Sequence, residues 1–198
     1  VTRWGRNAVY ADRKYSVAMK GVRPDFTEMQ PPELRYGRYI NQMDINLNRK
    51  VCVLGKRVYS ELFPGGGNPC GKFVRIDSIY YNVVGVDYST GNMSVNGSAQ
   101  ESIVVPLTFM QQVYNVGTAV DMLCLTGKPG VVMSRVTPHI REVVARNHSL
   151  DPTDDKGIMI FNTEELFGML DNLFSGVNFL IWLVGIGTLL AGAIGVSN

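Results

Sequence analysis

Charge runs out before this chain does. From Asn172 to Asn198 not one side chain is ionised. Histidine is scarce: only His139 and His148 occur, and neither has a partner at a metal-ligand spacing such as H-E-x-x-H. The three cysteines, Cys52, Cys70 and Cys124, form no C-x-x-C pair, which removes zinc-ribbon and dithiol-redox motifs. Cys52 in Val51-Cys-Val-Leu54 and Cys124 in Met122-Leu-Cys-Leu125 read as small buried hydrophobes, and the odd count leaves the redox compartment open. Neither sign of charge dominates, with 19 Lys+Arg against 17 Asp+Glu, so the clustered basic face of a nucleic-acid binder is not expected. Arg3, Arg6, Arg13, Lys14 and Lys20 make the N-terminal segment basic, and they read as a solvated strand face. No G-x-S-x-G element, internal repeat or low-complexity tract occurs.

What stands in the uncharged stretch is an apolar run from Phe179 to Val196. A bilayer core needs about 20 mostly apolar residues in helical form, with the backbone hydrogen bonds closed inside the helix. A buried core helix would usually keep a polar stripe, and this run has none. The sequence therefore predicts a transmembrane helix over 179–198. Basic flanking residues are missing, so charge leaves its orientation unassigned. Val1 in place of Met, and an end at Gly195-Val-Ser-Asn198, are what a piece of a longer chain would show. Gly187, Ala191 and Gly195 lie four apart, a small-xxx-small surface for helix packing that also arises by chance in membrane helices.

Ahead of the membrane segment, Leu166, Leu170, Leu173, Val177, Leu180 and Val184 recur at alternating four and three spacing. That is a coiled-coil seam, and it passes without a break from a stalk over 162–178 into the membrane segment. Asn162 is suited to cap this helix, with Glu165 three positions on.

Residues 1–161 alternate between strand and helix signals. Val9 to Val22 reads as a strand, Pro24-Asp25-Phe26 as a short turn or helix closed by Pro31-Pro32, and Lys50 to Leu54 as a buried strand. Gly55 to Phe63 has helical spacing with Val58 and Leu62 on one face, and 64–69 is a loop. Lys72 to Ile76 and Tyr80 to Val86 predict a hairpin through Asp77-Ser78. Ser89 to Gln100 is a polar loop, Ser102 to Val105 a strand, and Pro106 fits the first turn of a helix over Leu107 to Tyr114. Asp121 to Leu125 and Gly157 to Phe161 read as strands. Val132 to Asn147 reads as a helix with Val136, Ile140, Val143 and Val144 on one face, and Pro138 must kink or start it.

Apparent chemistry dissolves on inspection. Gly66-Gly-Asn-Pro-Cys-Gly-Lys72 nearly matches a phosphate-binding loop, but Phe73 stands where the magnesium-binding hydroxyl belongs. A helix precedes and a strand follows, the reverse of what presents a helix N-terminus to phosphate. His139 with Glu142 reads as a surface pair. Asp151, Asp154 and Asp155 lack the glycine and terminal Glu of an EF-hand and read as a solvated turn. Three glycosylation-like tripeptides begin at Asn92, Asn96 and Asn147 and carry no weight, because so short a pattern is common by chance. No catalytic, cofactor-binding or metal-ligating set emerges.

Several ordered segments together resemble a known family: Gly21-Val-Arg-Pro-Asp-Phe26, Leu34-Arg-Tyr-Gly-Arg-Tyr39, Lys50-Val-Cys-Val-Leu-Gly55, Glu61-Leu-Phe63, Asn68-Pro-Cys-Gly-Lys72, Tyr81-Asn-Val-Val-Gly-Val86 and Val104-Val-Pro-Leu107. They resemble the extracytoplasmic core domain of MacB-type ABC transporter permeases, a family that includes the lipoprotein-releasing and FtsX-like permeases. The terminal helix is similar to the second membrane helix of that family. The triple glycine Gly65-Gly66-Gly67 and Cys70, in place of an aliphatic residue, depart from the pattern.

The resemblance implies an α+β fold, a mixed sheet with packed helices, followed by the long C-terminal stalk and transmembrane helix. It makes Gly37, Arg38, Leu54, Gly55, Leu62, Phe63, Pro69, Gly71, Gly85 and Pro106 fold-making positions rather than catalytic ones. It implies a first membrane helix, with the opposite stalk, ahead of Val1. It also implies an ABC ATPase subunit as the site of ATP hydrolysis, a second permease copy (homodimer or heterodimer), a periplasmic adaptor protein and membrane lipid as partners. The expected location is the inner membrane, with the domain in the periplasm. The expected function is relay of ATPase-driven motion to cargo or a partner outside; the alternative is an FtsX-like regulator of a cell-wall hydrolase.

Overall fold

The computed structural model describes residues 1–90, 97–128, 130–154 and 156–197, without the side chains of 165, 166, 190 and 195–197. Two compact units divide it, Val1–Leu125 and Thr126–Asn198.

The first unit is built on a seven-stranded mixed sheet. Its elements are β1 (Thr2–Tyr10), β2 (Arg13–Val22), α1 (Phe26–Met29), β3 (Leu34–Gly37), α2 (Gln42–Asn46), β4 (Val51–Gly55), α3 (Lys56–Leu62), β5 (Phe73–Ile76), β6 (Ile79–Asp87), β7 (Ser102–Pro106) and α4 (Leu107–Val113). The order is β3-β6-β4-β7-β2-β1-β5, and β5 also pairs with β6. That extra pairing closes the sheet on itself. One edge of β6 is shared, with β5 along Ile79–Asn82 and β3 along Gly85–Asp87, while the other edge holds β4.

Alternation along the strands sorts side chains onto two faces. Cys52 and Leu54 of β4 join Met19, Tyr81, Val83, Ile103 and Val105 in the main core, closed by Val58 and Leu62 of α3 and by Phe109 and Met110 of α4. Val51 and Val53 point the other way, into a smaller cluster with Ile40 and Ile45. A strand covered on both faces explains why Val51–Gly55 reads as an unbroken apolar run.

Five expectations for this unit change, the first being Cys124, which is half-buried on an irregular segment while Cys52 is buried as read. The single strand over Val9 to Val22 is two strands, because Tyr10 pairs with Arg13 across a turn at Ala11-Asp12, where Ala11 takes φ +50°. Pro106 ends β7 and caps α4 rather than sitting in its first turn, its ψ of 131° being extended. Asp121 to Leu125 forms no strand: the edge amide of Thr2, which a paired strand would use, donates instead to the Asp121 carboxylate at 2.8 Å. Lys20 is not a solvated cation. Its register opposite Thr2 and Val104 places it in mid-sheet, 6% exposed, and its Nζ donates to the Gly97 carbonyl at 2.8 Å.

The second unit holds α5 (Met133–His148) and α6 (Thr163–Ser197). Pro138 lies inside α5 rather than starting it. Ala145 is buried and Val136, Ile140 and Val144 are half-buried, but Val143 is exposed, so the inner face is set by 136, 140 and 144 without it. Gly157 to Phe161 is not a strand. Among the described residues this unit contains no strand to pair with it, and Met159 and Phe161 stand open to solvent. Asn162 does cap α6, its Oδ1 accepting from the Glu164 amide at 3.1 Å. The Glu165 side chain, residues 91–96 of the 89–100 loop with the tripeptide at Asn92 and Asn96 of the next, and Asp155 lie outside the described residues.

Candidate functional site

Two features can carry function: a braced corner of the sheet, and a long apolar helix.

The brace begins at Gly37, which closes β3 with φ +68°. A Cβ there would stand 2.1 Å from the Val84 carbonyl oxygen, and one on Gly85 would stand 2.2 Å from the Arg38 oxygen. The two glycines let β3 and β6 approach closely, and the Arg38 amide donates to the Val84 carbonyl at 2.9 Å. The approach aims the Arg38 guanidinium at Asp44, with Nη1 to Oδ2 at 2.6 Å and Nη2 to Oδ1 at 3.0 Å.

Asp44 is wholly buried and serves three masters. It closes a capping box with Asn41 at the start of α2, takes the Arg38 fork, and lies 3.8 Å from Arg49. Burial alone would raise its pKa. The Arg38 and Asn41 hydrogen bonds and the charges of Arg38 and Arg49 outweigh that and hold the carboxyl below its ordinary value. The Asp44 hydrogen bond in turn raises Arg38. Asp44 was not singled out in the sequence, although Asn41-x-x-Asp44 is a capping signature.

The other positions of the motif separate. Leu54, Leu62 and Phe63 enter the main core. Gly55 passes under the 99–100 backbone, where a Cβ would meet the Ala99 carbonyl at 2.3 Å. Pro69 and Gly71 shape the turn into β5: the Lys72 amide donates to Pro69 and the Gly71 amide to Val83. Pro106 stands apart at the β7–α4 junction. Above the second sheet face, Lys20, Tyr39, Asp87 and Ser102 line a small cleft. Burial lowers the Lys20 ammonium to about 8. Burial, then the nearby Asp87 charge, raises the Tyr39 phenol. Among the described residues no group of three or more His, Cys, Asp or Glu could hold a metal.

α6 is 35 residues long, and over Phe167–Ile194 it is long and apolar enough to cross a membrane. Leu170, Leu173, Val177, Leu180 and Val184 of the seam are all exposed, and the Leu166 side chain is outside the described set. Asp171 is the one ionisable side chain in the span, and α6 contains no Lys, Arg or His at all. Its base is tied to α5: Glu164 accepts from the Ser134 amide at 3.0 Å, and Asn162 Nδ2 donates to Ser134 Oγ at 2.9 Å.

Comparison with known proteins decides the family. The MacB-like periplasmic core domain profile matches residues 1–143. The chain belongs to the MacB-like periplasmic core domain family. It is 26% identical over 178 residues to the macrolide export ATP-binding/permease protein MacB of Chlorobium phaeobacteroides, covering 89% of this chain and 26% of that protein. The chain thus spans about a quarter of the length of this relative. Among solved structures, the periplasmic region of MacB from Actinobacillus actinomycetemcomitans aligns with TM-score 0.65 at 16% identity, over 86% of this chain and 73% of that one. The extracellular domain of the noncanonic ABC-type transporter YknZ, from Gram-positive bacteria, aligns with TM-score 0.58 at 13% identity, over 76% and 74%. At these identities the alignments speak to the fold, and they agree with the α+β reading. A MacB-like core domain followed by a helix fit to cross a membrane is a membrane protein with an extracytoplasmic domain.

Proposed function

We propose that this chain is the extracytoplasmic core domain (1–161), stalk (162–178) and membrane entry (179–198) of an ABC exporter permease. In this reading it relays ATPase-driven motion to cargo or a partner outside the membrane. The carrying observation is the continuity of α6. One uninterrupted helix runs from Thr163, where it is cross-linked to α5 by hydrogen bonds, through Phe167–Ile194. A rigid helix with an anchored base transmits displacement along its axis, which a flexible linker would absorb.

ATP hydrolysis belongs to an ABC ATPase outside these residues. The relative in Chlorobium is named an ATP-binding/permease protein, so that ATPase is either a separate subunit or a further part of the same polypeptide. A second permease copy supplies apolar surface for the exposed seam from Leu166 to Val184, lipid covers the rest, and a periplasmic adaptor protein is the outer partner. The setting is the inner membrane, with the domain in the periplasm.

The test is purification of the full-length permease in detergent, scoring whether an ABC ATPase accompanies it and hydrolyses ATP. Co-purification with activity supports the relay. A permease without any associated ATPase overturns it.

A further inference from the structure

The closed sheet has a second face that is only partly covered. Over β4, β7 and the middle of β6 that face is buried by Ile40, Ile45 and Leu107, which pack on Val51, Val53, Val84 and Val104. Over the first half of β2, the end of β1, β5 and the start of β6 it is open, with Lys14, Ser16, Phe73, Arg75 and Tyr80 exposed. There the register sets one row of side chains across four strands: Lys14 opposite Val9, Val9 opposite Arg75, and Arg75 opposite Tyr80. Residues directly opposite share a face, so the row spans roughly 14 Å at the ordinary strand spacing. One step along, Phe73 lies opposite Asn82 on the same face. Phe73 is 57% exposed and Tyr80 59%, while their neighbours Val74 and Tyr81 fill the core.

Two rings standing in water on strand bodies cost hydration free energy and contribute nothing to the core. Beside them are two cations, Lys14 and Arg75, both exposed. Among the described residues neither forms an ion pair, whereas Arg3, Arg6, Arg23, Arg38 and Arg57 all do. No acid occupies the row.

We propose that this bare sheet face is a docking surface for an acidic polypeptide segment bearing apolar or aromatic side chains. Charge complementarity selects the sign: two unpaired cations flank the rings, and a like-charged partner would be rejected. The residue types select a polypeptide, since Tyr, Phe and Arg are what protein interfaces concentrate at their centres. A lipid surface fits less well. Membranes are entered by the apolar stripe of an amphipathic helix, and here the rings stand on β-strands beside two cations. The inference goes beyond the relay and rests on it only for the partner's being outside the membrane. ATPase co-purification tests that relay separately, so the two can fail independently.

The experiment uses the whole chain in detergent micelles and a fluorescently labelled copolymer of glutamate and tyrosine as the probe, read by anisotropy. Saturable binding that weakens with added salt is expected. Lys14→Glu with Arg75→Glu should weaken it at least tenfold, and Phe73→Ala with Tyr80→Ala, which keeps the charge, at least threefold. All four side chains are exposed, so the thermal melt should not move. Charge reversal away from the face, Arg23→Glu with Lys56→Glu, should leave binding within twofold. No saturable binding overturns the proposal, as does equal loss in the remote reversal, or binding indifferent to the rings. If polygalacturonate or phosphatidylglycerol vesicles bind more tightly than the copolymer and depend on the same side chains, the occupant is a glycan or a lipid surface, and the polypeptide assignment falls.

Discussion

Glu164, in the first turn of α6, accepts a hydrogen bond from the backbone amide of Ser134, in the first turn of α5, at 3.0 Å. The N-cap of α5 is Val132, whose side chain has no acceptor to offer. One helix therefore supplies the cap that the other lacks, and the carboxylate also meets the positive end of the α5 dipole. Glu164→Ala should remove about 1 kcal/mol of local stability, a typical cap value. The expected readout is faster amide exchange at Ser134–Val136, with the middle of α6 unchanged. Uniform acceleration along both helices, or none, would contradict the cap.

Gly85 and Gly66 make a paired test of crowding. Gly85→Ala drives a Cβ to 2.2 Å from the Arg38 carbonyl oxygen, a backbone atom that cannot step aside. Gly66→Ala meets nothing within 4 Å, although its φ of +69° is strained for alanine. The Gly66 change should cost about 1–2 kcal/mol. The Gly85 change should exceed it, at about 3 kcal/mol or more including the displaced β3 edge. Urea midpoints give the ranking, and equal costs would contradict the close approach.

Asp44 should make stability acid-sensitive. Its folded pKa lies below its unfolded one, so the unfolded chain binds more protons as pH falls. The contribution is therefore present above the unfolded value of about 4 and is lost as pH drops through the folded value. Asp44→Asn should cost about 3 kcal/mol at pH 7, the low end for a broken buried pair because Arg38 keeps contact with water. The wild-type advantage over Asp44→Asn should then shrink from pH 5 to pH 2. An advantage constant across that window would contradict the pairing.

Lys20 predicts the opposite limb. Burial lowers its ammonium from 10.5 to about 8, so between those values the unfolded chain is the more protonated, and stability should rise with pH. The gain is up to about 3 kcal/mol at the pKa conversion. Tyrosines whose folded pKa is raised pull the other way near pH 10, so the informative quantity is the wild type minus Lys20→Met. That difference should grow in favour of wild type from pH 7.5 to 10, and a flat difference would contradict the buried ammonium.

The parts legible in the sequence are those whose signal is local. Val51–Gly55 announces itself by apolar continuity, α3 by Val58 and Leu62 one turn apart, and the β5–β6 hairpin by alternation around Asp77-Ser78. What was not legible depends on a distant partner. Asp121–Leu125 and Gly157–Phe161 have strand composition, but composition does not create an edge to pair with. Lys20 resembles its exposed neighbours Arg13 and Lys14 until the pairing with β7 places it in mid-sheet. Asp44 resembles a surface acid until Gly37 and Gly85 bring Arg38 onto it. The bare face beside Tyr80 exists only because β5 bonds to β1 and β6 together.

The pairing of β2 with β7 has a consequence for how the chain is made. β2 is made directly after β1, yet the strand that completes its outer edge, Ser102–Pro106, follows some eighty residues later. Until then the β1–β2 hairpin carries an open row of amides and carbonyls beside Val17 and Met19, a template for mispairing with another nascent chain. The parallel pairing also closes a long loop before it returns any stability, which slows folding. In that interval the basic side chains at Arg13, Lys14 and Lys20 give the unfinished edge a mutual repulsion that keeps two such hairpins apart.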